Sequence, residues 1–282
     1  MNKKQIAVVG AVVIVMGYLF MQPVKGLVKP KEDNSHQNAV QQQERKVAQI
    51  NIETLSATAK SAIGSNLSSK IEALENQLKT APESDKLKIE AQLAKQWDDV
   101  NQAAPAGYYY LQVARKKNDF ENWLNAGNRF NDAYKFTQDT AIQPAYVTNA
   151  VEAFENARKL KPENLDAETG LGIAYVNGGA PSPMQGIGLL LDVVKKDPNN
   201  RNANLNLGQF AMKSGQFDKA VPRFKTVIAQ KADVEPYFYL AESYKQLGMK
   251  KEAIAAYEKC KELMADPAFN QRIDQFIKEL KD

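Results

Sequence analysis

Along residues 234–267 the apolar and small positions fall at helical spacing. Tyr237, Leu240-Ala241 and Tyr244 come first, then Gly248, then Ala253, Tyr257 and Cys260. Steps of three and four residues predict two amphipathic helices. The break at Gly248 suits a left-handed helix cap, which a residue without Cβ adopts freely. The same slots recur upstream at the same period. From residue 201 they hold Asn204, Leu207-Gly208, Ala211, Gly215, Ala220, Phe224 and Val227. From residue 165 they hold Glu168, Leu171-Gly172 and Tyr175. An insertion from Asn177 to Met184 follows, and the pattern resumes at Gly186, Leu190 and Val193. Further back stand Trp123, Ala126-Gly127 and Phe130, then Ala150, Phe154 and Ala157 beyond an insertion near Phe136–Gln143. A weaker version holds Leu93-Ala94, Trp97, Ala106, Tyr110 and Val113. Lys161-Pro162-Glu163-Asn164 and Asp197-Pro198-Asn199-Asn200 separate units: proline stops one helix, and Asn accepts the orphan N–H groups of the next.

This helix–turn–helix pattern resembles the tetratricopeptide repeat (TPR). The resemblance implies an all-α fold, a right-handed α-α superhelix of TPR type, in which each unit buries its apolar face on its neighbours. The units are 85–119 (degenerate), 120–164, 165–200, 201–233 and 234–267. Residues 268–282 form a closing helix whose face is Phe269, Ile273, Phe276, Ile277 and Leu280. In such arrays first-helix residues line a concave groove that takes protein or peptide segments. Carried onto this chain, those slots give Asn128, Asn131, Asn202, Leu205, Gln209, Met212, Phe238, Glu242 and Lys245 as groove residues, with Glu121, Asp166 and Glu235 beside them. The TPR co-chaperones that grip a carboxy-terminal carboxylate use several Lys or Arg here. This chain has Lys245 nearly alone among acidic slots, so the groove is expected to suit neutral or basic extended segments.

The amino-terminal part differs. Ile6–Met21 is an uncharged apolar run behind Lys3 and Lys4. Sixteen helical residues span about 24 Å, and flanking lysines can snorkel to cover the rest of a core about 30 Å thick. The exit, Phe20-Met21-Gln22-Pro23, lacks the small-residue pattern of a cleaved signal. Residues 1–27 therefore read as a single-pass membrane anchor, with the membrane contacted through residues 6–21. The short basic tail reads as cytoplasmic and the body as extracytoplasmic, periplasmic in a diderm bacterium. Residues 28–43 are a polar tether that holds the lone His36. Residues 44–84 read as a helical cap. Leu67, Ile71, Leu74 and Leu78 have seam spacing, so a short coiled coil, with a homo-oligomeric structural tether of the envelope as the function, is the alternative.

Composition narrows the function class. With 37 Lys+Arg against 33 Asp+Glu the net charge is +4, and no run of five like charges occurs, so no nucleic-acid partner is implied. One histidine in a tether and one cysteine make no triad, thiolate cluster or metal set, and no glycine-rich phosphate loop is present. No catalytic residue, cofactor or metal is expected: the chain reads as a non-enzyme. Cys260 occupies a small-residue slot and reads as an inert buried thiol. The function expected is that of a membrane-anchored, non-catalytic scaffold or chaperone-like adaptor for envelope protein assembly.

Overall fold

The structure, a computed structural model, describes residues 50–281 apart from Pro181. The proposed anchor, the tether with His36 and the first residues of the cap lie outside the described residues. Among the described residues no helix is long and apolar enough to cross a membrane.

The described residues are all-α. Helices α1 (Ile52–Ser61), α2 (Ser65–Thr80), α3 (Glu83–Asp99) and α4 (Ala103–Lys117) come first. They share a core of Ile71, Ile89, Leu93, Trp97 and Tyr109. Among the seam residues, Ile71 is buried there, Leu74 and Leu78 pack against it, and Leu67 is exposed. Then come α5 (Phe120–Phe136) and α6 (Gln143–Leu160), and α7 (Leu165–Ala174) with a π turn at Tyr175–Gly179. Helices α8 (Pro183–Lys196), α9 (Arg201–Lys213), α10 (Phe217–Gln230), α11 (Val234–Gln246), α12 (Lys250–Leu263) and α13 (Pro267–Lys281) complete the chain. From α2 onward each helix packs chiefly on its neighbours in sequence, as expected where a unit cannot bury its apolar face alone, whereas α1 packs mainly on α4.

The unit boundaries follow from local chemistry. Asn164 Oδ1 accepts from the Ala167 N–H at 2.9 Å, and Asn200 Oδ1 from the Ala203 N–H at 3.0 Å. Gly215 and Gly248 take φ of 71° and 72° at the turns inside the last two units, where a side chain would strain the backbone. Arg201, the first residue of α9, ties three elements together. Its guanidinium donates to the Val227 carbonyl near the end of α10 and, at 2.6 Å, to Asp233 before α11.

Glycine–aromatic contacts set how closely the units approach. The Phe154 ring on α6 is fully buried between α5 and α7. A methyl group added at Gly127 would stand 2.7 Å from that ring, and one added at Gly170 only 2.2 Å away. The device recurs two helix pairs on, where Gly208 of α9 faces the Phe224 ring of α10 at 2.6 Å by the same measure. First helices of successive units are thereby drawn near enough for side chains to reach across. Asn131 of α5 donates to the Gly170 carbonyl of α7 at 3.0 Å.

Candidate functional site

The first helices of four successive units, α5, α7, α9 and α11, surround a cavity of about 630 Å³. Six residues read from the sequence as groove residues line it: Asn128 and Asn131 from α5, and Asn202, Leu205, Gln209 and Met212 from α9. Gly170 and Ile173 of α7 and Tyr239 of α11 complete the wall between them. Asn206 donates to the Asn202 carbonyl and side chain at 2.9 and 3.0 Å, so those two amides act as a pair. The side chain of Asn128 has no hydrogen-bond partner among the described residues. The wall is thus a row of amides, able to donate and accept at once, interleaved with apolar Leu205, Met212 and Ile173. A peptide backbone presents alternating N–H and C=O groups, and such a row matches it.

Three expected groove residues lie elsewhere. Phe238 and Lys245 meet the closing helix α13, and Glu242 meets Tyr257 of α12. The Phe238 ring lies 6.2 Å from Phe276 and 6.0 Å from Tyr257. Glu242 accepts the Tyr257 hydroxyl. Lys245 stands 3.7 Å from Glu279 and 5.4 Å above the Phe276 ring. The physical reason is that α13 has an apolar face, with Ile273, Ile277 and Leu280 buried, and the last unit is where that face finds cover. The groove slots of that unit are therefore consumed inside the fold.

The acidic character expected of the groove is also largely neutralised. Glu121 pairs with Lys161 at 3.4 Å, and Asp166 is not in the cavity wall. Asp132, in the wall, has its carboxyl pushed up by burial, and Arg129 at 3.1 Å opposes that shift. Glu235, at the edge, receives Lys135 of α5 at 2.9 Å from across the cavity. The periodic slots did not mark Gln143, Asn177, Lys213 or Tyr239, which also line the cavity. Asn177 belongs to the Asn177–Met184 insertion, whose loop composition was the available signal. Cys260 is buried, and burial pushes its thiol up to about 12, so the thiolate needed for nucleophilic chemistry is scarce near neutral pH.

Helix pairs in series around an amide-lined cavity define a helical-repeat architecture. Family models for the tetratricopeptide repeat match residues 185–241 and 234–266. The described chain is an all-α helical repeat of the tetratricopeptide type. Among solved structures it is similar to a thermophilic TPR protein of Thermus thermophilus, at 20% identity and TM-score 0.52, over 67% of this chain and 97% of that one. It also matches a MamA protein at 19% identity and TM-score 0.45, over 64% of this chain and 92% of that one. A third match is YrrB, a TPR protein with an unusual peptide-binding site, at 18% identity and TM-score 0.43, over 73% of this chain and 99% of that one. No curated protein matches the sequence.

Proposed function

We propose that the chain is a non-catalytic adaptor that holds an extended protein segment in the cavity between α5 and α11. The observation that carries this reading is the row of amides, Asn128, Asn131, Asn202 and Gln209, which two separate helices contribute to one wall. A segment seated there exchanges water for paired backbone groups, and its side chains meet Leu205 and Met212. A photo-crosslinking residue tests this directly. Placed at Asn202 in the full chain, within the cavity wall, it is expected to form a discrete protein adduct in cells. Placed at Leu191, which is exposed on α8 outside that wall, it is expected to form none. Adducts from Leu191 but not from Asn202 contradict the reading.

The adaptor works at a membrane in this proposal. Support comes from the sequence alone: the apolar run Ile6–Met21, the lysines on both sides, and the polar linker from residue 28 to residue 43. The body would face the extracytoplasmic side and act on envelope proteins during assembly. Protease added to spheroplasts is then expected to remove the body, and the native protein is expected to begin at Met1. Protection from protease reverses the orientation, and a mature chain beginning beyond residue 21 replaces the anchor by a cleaved signal.

A further inference from the structure

The cavity is bridged. Lys135 on α5 and Glu235 on α11 are 100 residues apart, yet Lys135 Nζ lies 2.9 Å from Glu235 Oε1. The two helices belong to the first and last of the four units around the cavity, so the pair closes over one end of it. Both side chains are about half exposed, 46% for Lys135 and 42% for Glu235.

The two partners are not held alike. Glu235 Oε1 also accepts from Gln209 Nε2 and from the Tyr239 hydroxyl, each at 3.3 Å. Those donors come from α9 and α11, are half-buried, and line the cavity. Glu235 Oε2 has no hydrogen-bond partner among the described residues. Lys135 sits at the end of α5, with the exposed Phe136 ring 5.4 Å away and Asp132, already paired with Arg129, one turn back on the same helix. Removing Lys135 leaves the carboxylate in place on two neutral donors with one oxygen open. The ammonium, once released, returns to water at little cost, because exposed pairs of this kind are weak. The anion is the fixed half and the cation the replaceable half.

We propose that the Glu235 carboxylate is the seat for a lysine or arginine of the bound segment, and that Lys135 occupies this seat until the segment displaces it. This rests on the reading of the cavity as a peptide site. It sharpens that reading: the segment needs a cation at one fixed place, with neutral backbone along the amide row. Asp132 lines the same cavity but is already paired with Arg129 at 3.1 Å, and Lys213 lines it too, so the open cationic position lies at the Glu235 end.

The test uses random dodecapeptides displayed on phage and selected on the full chain, followed by affinity measurement with the synthetic winners. Selected peptides are expected to share a Lys or Arg at one position. Glu235→Gln should weaken them by up to about fivefold, the range for a half-exposed ion pair. Lys135→Met should tighten them by up to about fivefold, because it removes the competitor. A peptide with norleucine in place of its cation should be insensitive to both changes. Peptides without a shared cation, or variants that shift affinity in the same direction, or a norleucine peptide still weakened by Glu235→Gln, overturn the inference. In each of those cases, loss of affinity on Asn202→Ala leaves the peptide-site reading standing. A library with no binder that depends on Asn202 defeats that reading, and the inference falls with it.

Discussion

Phe154→Ala is expected to destabilise the fold by about 3–5 kcal/mol, the range for removing a fully buried large aromatic ring. The ring has no exposed surface, and it separates Gly127 on α5 from Gly170 on α7. Both helices would close on an empty space that only partial relaxation can fill. The account predicts a coupling as well. Gly170→Ala alone should cost stability, because the new methyl group would meet the ring at 2.2 Å and overpacking costs about 1–3 kcal/mol. In the Phe154→Ala background the same methyl group enters the vacated space, and the Gly170→Ala cost should vanish or reverse, helped by the better helix propensity of alanine. Urea unfolding of the four proteins measures the coupling term. Equal costs of Gly170→Ala in both backgrounds would show that the ring does not set the spacing of α5 and α7.

That spacing matters for the site as well as for stability. Asn131 reaches the Gly170 carbonyl because Gly127 and Gly170 present no Cβ to the Phe154 ring, which lets α5 and α7 close on it. The amide row is then held on helices, whose positions are fixed by buried aromatic wedges, rather than on loops.

The sequence made the helix pairs legible because each unit repeats one set of sizes. Leu-Ala, Leu-Gly or Ala-Gly on the first helix, and a small residue followed by a large one on the second, suit a close hairpin. Asn164, Asn200 and Gly248 were legible for the same reason: caps and left-handed turns restrict residue type locally. Asn101 and Asn118, with φ of 55° and 50°, were not, since asparagine also serves many other turn positions. The groove was legible only in part. Helical period tells which face of α9 carries Asn202, Leu205, Gln209 and Met212. It does not tell how far the array curls. The meeting of Lys135 with Glu235 depends on small rotations accumulated over the intervening units, and no local pattern encodes their sum. The loss of Phe238 and Lys245 to α13 was hidden for a related reason. The apolar face of α13 was plain, but the surface that it would cover was not.

The second large effect concerns that groove. Asn128, Asn202 and Gln209 should act together, since they come from two helices and face one cavity. None is buried, so replacing all three by alanine should leave the unfolding free energy within about 1 kcal/mol. Binding should respond much more. Each amide that pairs with a peptide backbone contributes about 0.5–1.5 kcal/mol net, and about 1.4 kcal/mol is one decade in affinity. Together the three should weaken a groove-bound peptide by about tenfold to a thousandfold. Phe238 is left out because its ring is packed between Tyr257 and Phe276, where truncation would damage the fold instead.

The most direct measurement is therefore the affinity of the triple alanine variant, in the full chain, for the protein segment that crosslinks from position 202. It should be set beside the affinity of a variant whose Asn177–Ser182 insertion is cut to a short turn. The account predicts at least a tenfold loss for the alanine variant and a smaller loss for the shortened insertion, which removes only Asn177 from the wall. Undiminished affinity in the alanine variant, with capture abolished by the loop deletion, would mean that the insertion and not the groove reads the partner.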